Sequence, residues 1–291
     1  MQDHLEATEA FLIAAQAASG AWPYYAGNQD APEPTCYALL ALANAERSGH
    51  AACVSRGVQA LSRSIGADGV VRWQTSSDPH WTASLAILTL TRLRQNEELV
   101  DRAASALLSW KVRTARPSPV VPLDSQLAGW SWYDNTFSWI EPTCHALIAL
   151  KAAGYDSAPR VAEGEALLLD RACDDGGWNY GNPEAFGRRL DSFPDTTALA
   201  LLALQGTPGA ESRVAAGIQF LQQAAFAAPS TLTFAWTILS LNAHGVAVED
   251  YVSPLAERRL ADGSWRGGVH LTALATLALQ AAEGAPNVFR L

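Results

Sequence analysis

The sequence predicts an all-α protein folded as an (α/α)6 barrel, a toroid of six inner and six outer helices. Apolar segments on an Ala-Leu-Ile-Ala-Leu theme recur along the 291-residue chain. Each is apolar on nearly all sides, which is typical of a buried helix. The segments that precede them carry charge on one face, as surface helices do. A turn with Gly and Trp separates several of these pairs, so inner and outer helices are expected to alternate.

Six apolar segments can be aligned on this theme. They are EPTCYALLALA (33–43), HWTASLAILTL (80–90), EPTCHALIALKA (141–152), PDTTALALLALQ (194–205), LTFAWTILSLNA (232–243) and HLTALATLALQA (270–281). The outer segments include LVDRAASALLSW, RVAEGEALLLDRA and ESRVAAGIQFLQQ. No long linker interrupts the pattern, so residues 1–291 are predicted to form a single domain. The Pro-rich stretch 115–124 is expected on the surface, and loops 120–140 and 179–194 are expected to close a central cavity.

Composition and charge exclude several classes of function. The net charge is −9 without any Lys/Arg-rich run, which argues against nucleic acid as a partner. The first residues lack the order of a signal peptide, and no apolar run is long enough to span a bilayer. The four cysteines lack CxxC spacing and are expected as free thiols. We therefore expect a cytoplasmic protein, and we leave peripheral membrane contact and oligomeric state open.

The repeat alignment predicts which side chains surround the barrel mouth. The inner helices run parallel, so their N-termini meet at one end, and equivalent positions there are Glu33, Trp81, Glu141, Asp195, Leu232 and His270. Three carboxylates and a histidine on one concave face are typical of an active site. The predicted catalytic residues are therefore Asp195, Glu141, His270 and Glu33. Each acid alone can instead be a cap or a favourable charge at a helix N-terminus.

Aromatic residues are concentrated on the same approach, as in GWSWYDNTFSW (129–139). Some of them must belong to the core, yet an aromatic-lined pocket also suits a bulky apolar ligand and a passing carbocation. The predicted substrate-binding residues are Trp22, Tyr25, Trp81, Trp132, Phe137, Trp139, Trp178, Tyr180, Phe193, Trp236 and Trp265.

The Gly-Trp turns carry a family resemblance. FLIAAQAASGAW (11–22) resembles the QW repeat of squalene and oxidosqualene cyclases, with weaker copies at DGGWNYGN (175–182) and LADGSWRGG (260–268). The chain is thus similar to the squalene-cyclase and protein-prenyltransferase superfamily over nearly all of its length. The protein prenyltransferases hold zinc with an Asp, a Cys two residues later and a His. Here Asp195 is followed by Thr197, so no metal site is predicted.

The second branch, the class II terpene cyclases, uses an Asp-x-Asp-Asp motif whose middle Asp protonates an alkene or epoxide. FPDTTALALLAL is similar to that context, and Asp195 falls on the middle Asp, whereas Phe193 and Thr196 replace the outer two. The resemblance implies a single-domain cyclase that binds a small-molecule isoprenoid, with Glu141, Glu33 or Asp134 as alternative acids. His270, Glu141 or water would remove the final proton. No cofactor is expected, and Mg²⁺ would be needed only with a diphosphate, for which Arg188, Arg189 and Arg266 are candidate contacts.

Two other functions remain open on the sequence alone. (α/α)6 barrels with paired carboxylates and exposed Trp side chains also serve as glycoside hydrolases. Alternatively, the altered acid motif fits a non-catalytic isoprenoid-binding or partner subunit that descends from a cyclase.

Overall fold

The computed structural model describes residues 2–45, 47–73, 81–117 and 123–291, with side chains from residue 5 onward. Within these ranges it contains twelve α-helices. They are α1 (Gln2–Ala14), α2 (Pro32–Asn44), α3 (Ala51–Arg63), α4 (Ala83–Arg92), α5 (Glu97–Leu108), α6 (Ile140–Ala152), α7 (Pro159–Asp170), α8 (Pro194–Ala203), α9 (Glu211–Ala227), α10 (Thr231–Ala243), α11 (Glu249–Ala256) and α12 (Val269–Ala282). His80, residues 118–122 of the Pro-rich stretch and residues 120–122 of the predicted closing loop lie outside the described residues.

The even-numbered helices form a closed inner ring. Each packs against the next, from α2 through α4, α6, α8 and α10 to α12, and α12 packs against α2. The odd-numbered helices lie outside, because α3, α5, α7, α9 and α11 pack on the inner helices that precede them, and α1 packs on α12 and α2. The predicted all-α (α/α)6 barrel is confirmed. No helix in the described parts of the chain is long and apolar enough to cross a membrane.

Burial explains which helices are inside. In α2, every residue from Pro34 to Leu42 is buried, so the helix has no face for solvent. The outer helix α3 buries only Cys53, Gly57, Ala60 and Leu61, which lie on one side. Short strand pairs line the connections that lead to the inner helices. They are β1 (Trp22–Pro23) with β2 (Asp30–Ala31), β3 (Val112–Arg113) with β4 (Thr136–Phe137), and β5 (Glu184–Ala185) with β6 (Arg188–Arg189).

A tryptophan in each of four connections joins several helices. The indole of Trp178 donates a hydrogen bond of 2.7 Å to the carbonyl of Leu168 in α7. Its backbone N–H donates to the hydroxyl of Thr197 in α8 at 2.9 Å. The ring lies against Gly217 of α9. The same pairs of hydrogen bonds recur as Trp22 with Leu12 and Thr35, Trp130 with Leu107 and Thr143, and Trp265 with Leu255 and Thr272. We call each set a Trp–Thr anchor.

The outer helices carry glycine beneath these tryptophan rings, because a larger residue would not fit there. A Cβ at Gly217 would lie 2.8 Å from the Trp178 ring and 2.9 Å from Leu201. Gly57 and Gly164 lie in the same way under Trp22 and Trp130. Each of these outer helices therefore approaches its tryptophan more closely than any larger residue permits.

We expect Gly217→Ala to destabilise the protein by about 1–3 kcal/mol, because the added methyl group overpacks the Trp178 anchor. Chemical denaturation measures the free energy of unfolding. Gly49→Ala is the matched control, since a Cβ there meets nothing within 4 Å. Equal free energies of unfolding for the two variants would show that the anchor accommodates the added methyl group without destabilising the protein.

Candidate active site

The six aligned residues surround the end of the barrel where the inner helices begin. Glu33, Glu141, Asp195, Leu232 and His270 are each the second residue of an inner helix, and Trp81 lies two residues before α4. All six are half-buried, and the residue that follows each is buried except Leu271, which is also half-buried. We call this set the mouth ring. None of its three acids caps a helix, because the N-cap residues of α2, α6 and α8 are Ala31, Trp139 and Phe193, without side-chain cap bonds.

The polar members of the mouth ring fall into two neighbouring pairs. Glu141 and Asp195 lie on the adjacent helices α6 and α8, and His270 and Glu33 lie on the adjacent helices α12 and α2. Trp81 separates the pairs on one side of the ring, and Leu232 separates them on the other. An acidic pair therefore lies across the mouth from a pair that contains a base.

The Glu33–His270 pair is well supplied with donors. The hydroxyl of Tyr24 donates to Oε2 of Glu33, and Nε2 of His270 lies 3.6 Å from Oε1. Burial, and secondarily the Glu33 charge, raises the pKa of Tyr24, so its hydroxyl remains a donor at neutral pH. The ring of Tyr37 lies 5.0 Å from that of His270.

The Glu141–Asp195 pair is different, because burial disfavours its charged form. Burial raises the pKa of Glu141 to about 7, and the charges of Glu33 and Asp195 add to this effect. Burial also raises the pKa of Asp195, although a hydrogen bond from Thr233 opposes it. Among the described residues, Oδ1 of Asp195 is buried without a hydrogen-bond partner. A proton is therefore retained on this pair at pH values where ordinary carboxyls are ionised.

Beneath the mouth lies a second ring of side chains. Leu39, Leu147 and Leu201 lie six residues after mouth-ring acids and contact the outer-helix glycines, so they point away from the axis. Residues four after the mouth ring point the opposite way, toward the axis. They are Tyr37, Leu85, His145, Leu199, Trp236 and Leu274, all at most 5% exposed. We call this set the floor ring. The ring of His145 lies 5.7 Å from that of Trp81 and 6.2 Å from that of Trp236.

The opposite end of the barrel is closed by the segment 284–291. Eight residues after the mouth ring, the side chains are small: Ala41, Thr89, Ala149, Ala203, Ser240 and Ala278. Phe289 enters this space and contacts Trp236 and Tyr37, with ring centroids 5.2 and 6.4 Å apart. Arg92 and Gln205 hold the segment by donating to the carbonyls of Val288 and Phe289. The interior of the barrel is therefore closed at this end, and we call the part between the mouth ring and the floor ring the chamber.

Three of the predicted substrate contacts are wrong. Trp22, Trp178 and Trp265 are completely buried, and their indoles are committed to the Trp–Thr anchors. They have no surface to offer a substrate, because each is wedged between an inner and an outer helix. Asp134, an alternative acid, is exposed and accepts the backbone N–H of Lys111 at 3.3 Å.

Other predicted aromatic residues do come together. Trp81 contacts Trp132 edge-on with centroids 4.9 Å apart, and Trp236 lies in the floor ring. Phe137, Trp139, Tyr180 and Phe193 line a groove of about 840 Å³ outside the mouth ring. The groove borders the acidic pair, because two residues of its wall are close to that pair in sequence. Ile140 directly precedes Glu141, and Phe193 lies two residues before Asp195.

Some residues near the site were not predicted from the sequence, and some predicted residues have contacts elsewhere. Tyr24, Tyr37 and His145 were not predicted, although they contact the mouth or floor ring. Tyr25 is half-exposed and pairs its backbone with Gly268. Arg189 pairs with Asp174, while Arg188 and Arg266 are exposed.

The described residues hold no cluster of metal ligands. No three His, Cys, Asp or Glu side chains there lie close enough to share an ion. Thr197, at the position of the prenyltransferase thiolate, uses its hydroxyl for the Trp178 anchor. The four cysteines are buried and free.

Comparison with known proteins supports the fold and not a family. No family model matches the sequence, and no curated protein matches it. A crystal structure of a protein from Actinoplanes aligns with TM-score 0.68 at 16% identity, over 97% of this chain and 99% of that one. The type II terpene cyclase MstE from Scytonema, in a variant bound to geranylgeranyl dihydroxybenzoate, aligns with TM-score 0.67 at 15% identity, over 97% of each chain.

A third similar structure has another activity. An inactive variant of the α-1,6-mannanase GH76A of Salegentibacter sp. HEL1_6, in complex with α-1,6-mannotriose, aligns with TM-score 0.66 at 12% identity, over 97% of this chain and 98% of that one. These likenesses establish the barrel that the chain shares with both enzymes. The chemistry has to be argued from the site itself.

The raised pKa of Glu141 predicts a pH-dependent stability difference. Its carboxyl has an ordinary pKa of 4.5 and a pKa of about 7 in the fold. The folded state therefore holds a proton that the unfolded state has lost between these values. Stability from this group is complete below pH 4.5 and is lost as the pH rises through 7. We expect Glu141→Gln to unfold like the wild type at pH 4 and to be more stable at pH 8, by up to about 3 kcal/mol.

Asp156→Asn is the control, because Asp156 is an exposed carboxylate in the turn between α6 and α7, outside either helix. Its stability relative to the wild type should not change between the two pH values. A Glu141→Gln difference that is likewise independent of pH would contradict a raised pKa at Glu141.

Proposed function

We propose that this protein is a class II terpene cyclase, which begins the cyclisation of a linear isoprenoid or prenylated compound by protonating it. One observation carries the proposal: a half-buried pair of carboxyls, Glu141 and Asp195, lies at the mouth of the barrel, above the aromatic rings of Tyr37 and Trp236 and beside an apolar groove. Such a reaction needs a carboxylic acid that keeps its proton until an alkene or epoxide arrives. Burial and like charge supply that condition here.

The acidic pair is the proton donor in this mechanism. The proton that the pair retains moves to the terminal carbon of the alkene, or to the epoxide oxygen, and the pair is left with one more negative charge. The electron pair of the next double bond attacks the resulting cation and closes a ring. Each further closure moves the positive charge along the chain. Loss of a proton beside the last cation forms a double bond, so the product of an alkene is an isomer of the substrate.

The chamber favours the cationic intermediates over capture by water. Trp81, Trp132 and Trp236 present aromatic rings, whose faces stabilise positive charge. The floor ring is buried, and Phe289 fills the barrel beneath it. A cation formed above this floor meets aromatic and aliphatic side chains on its lower side. Exclusion of water protects such reactive intermediates from quenching.

The groove beside the acidic pair provides room for the rest of the substrate. Its volume of about 840 Å³ and its lining by Phe137, Trp139, Tyr180 and Phe193 suit an apolar chain. The chamber extends only one helical turn from the mouth ring to the floor ring. We therefore propose that rings form in the chamber while the remaining chain and head group lie in the groove. Geranylgeranyl dihydroxybenzoate, which the Scytonema cyclase binds as substrate, has this long and amphipathic form.

Two other candidate functions can be distinguished by the experiment described below. The shared fold of the mannanase, together with the half-buried carboxyls, supports a carbohydrate-active enzyme as the second candidate. The floor ring argues against a carbohydrate-active enzyme, because it offers few hydrogen-bonding groups for sugar hydroxyls. Only Tyr37, His145 and the Trp236 indole have such groups there. Isoprenoid binding without turnover is the third candidate. No metal enters the proposed reaction unless the substrate carries a diphosphate.

The test is incubation of the purified protein with geranylgeranyl and farnesyl phenols, diphosphates and terminal epoxides, followed by mass spectrometry of the products. We expect cyclic isomers of at least one substrate. Asp195→Asn and Glu141→Gln should each lower turnover by about 10²-fold or more, because each removes a carboxyl from the donor pair. Asp134→Asn should retain turnover, because that carboxylate is exposed to water and accepts a backbone N–H, so it is not held protonated by burial.

Undiminished turnover in both acidic-pair variants would refute the assignment of the donor. Tight polyprenyl binding without any product would favour the binding protein. A change in Trp fluorescence with manno-oligosaccharides, and none with polyprenyl compounds, would favour the carbohydrate-active enzyme.

A further inference from the structure

One position of the floor ring holds a base. His145 is 5% exposed and lies among Tyr37, Leu85, Leu199, Trp236 and Leu274. Within the described chain, neither of its ring nitrogens forms a hydrogen bond. Packing alone would be better served by a Leu or Phe, so His145 calls for a chemical explanation.

The placement of His145 relates it to the acidic pair. It lies four residues after Glu141, so the two side chains are one turn apart on the same face of α6. Its ring lies between the rings of Trp81 and Trp236, at 5.7 and 6.2 Å. His145 therefore faces the space in which the proposed cations form.

The imidazole of His145 is uncharged, so it keeps a lone pair that can accept a proton. Burial, and secondarily the neighbouring His270, lowers the pKa of His145 to about 4. Its ring is therefore neutral at physiological pH, with one nitrogen lone pair free. His270 is less suitable, because its side chain is 21% exposed and lies 3.6 Å from Glu33 at the mouth, where water competes.

We propose that His145 is the catalytic base that ends the cyclisation. The assignment rests on the proposed function, since it requires a final carbocation. The free ring nitrogen takes a proton from the carbon next to that cation, and the electrons of the broken C–H bond form the product double bond. The step creates an imidazolium one helical turn from the carboxylate of Glu141, which belongs to the pair that donated the first proton. Return of the proton to that carboxylate restores both groups, so no oxidant, reductant or other reactant is consumed.

The proposal is tested with His145→Ala, assayed with and without added imidazole. Without imidazole, the share of the main wild-type olefin should fall about tenfold, because the last cation then loses other protons or is captured by water. Isomeric olefins and alcohols should replace it, while the rate of substrate consumption changes less. Added imidazole should restore the wild-type product. Pyrrole has the same shape without a basic lone pair, so it should not.

Leu199→Ala is the matched control, because it truncates another floor-ring residue, and its products should not respond to imidazole. His145→Gln keeps the side-chain volume and serves if the alanine variant does not fold, and it should show the same change of products. An unchanged product distribution in the His145 variants, or equal rescue by pyrrole, would overturn the proposal. If the wild type forms no cyclic product from any substrate, the proposed function fails first, and the base assignment fails with it.

Discussion

The Trp–Thr anchor is the interaction on which the mouth of the barrel depends. In each anchor the threonine is the fourth residue of an inner helix, and the mouth-ring residue lies two positions before it. The pattern is Glu-Pro-Thr in α2 and α6, Asp-Thr-Thr in α8 and His-Leu-Thr in α12. All four polar mouth-ring residues therefore lie on helices whose first turn is bonded to a buried tryptophan. Within the described chain, the two positions without such an anchor are held by Trp81 and Leu232.

This arrangement has a consequence for the chemistry at the mouth. A helix N-terminus favours an ionised carboxylate, so all three acids begin with the same electrostatic preference. At Glu141, burial and the charges of Glu33 and Asp195 outweigh this preference and raise the pKa of the carboxyl. At Asp195, burial raises the pKa although Thr233 donates a hydrogen bond. The proton affinity of this pair is therefore set by its surroundings and not by the helix ends.

Much of the fold and part of the site could be predicted from the sequence. Helices that are apolar on all sides can only be inner helices, and aligning them located the mouth ring without coordinates. The tryptophans of the Gly-Trp turns were misassigned, because residue type does not say which way a loop side chain faces. A signal was nevertheless available: in three anchors the indole bonds to a carbonyl ten residues earlier, at the end of the preceding outer helix.

The floor ring was missed for a related reason. Tyr37 and His145 stand within apolar runs and look like core residues when each is considered alone. The repeat alignment places them at one level, four residues after Glu33 and Glu141, where EPTCY is replaced by EPTCH. Extending the alignment by one turn would have revealed a base in an otherwise apolar layer. Which groove borders the mouth could not be deduced in this way, since it is built by connections that do not repeat.

The depth of the chamber limits the chemistry that it can contain. Side chains eight residues after the mouth ring are small, and this would leave an open channel along the axis if Phe289 did not enter from the other end. Tyr37 and Trp236 then rest on Phe289 and close the floor one turn below the acids. In the proposed reaction, a chamber of this depth would take a compact folded portion of the substrate rather than a long extended one. Because the apolar groove begins at the acidic pair, the growing ring system and the unreacted chain would then occupy two adjoining spaces. The number of rings formed would then depend on how the floor ring and the Trp81–Trp132 wall fold the reacting end, while the groove would select the length of the chain.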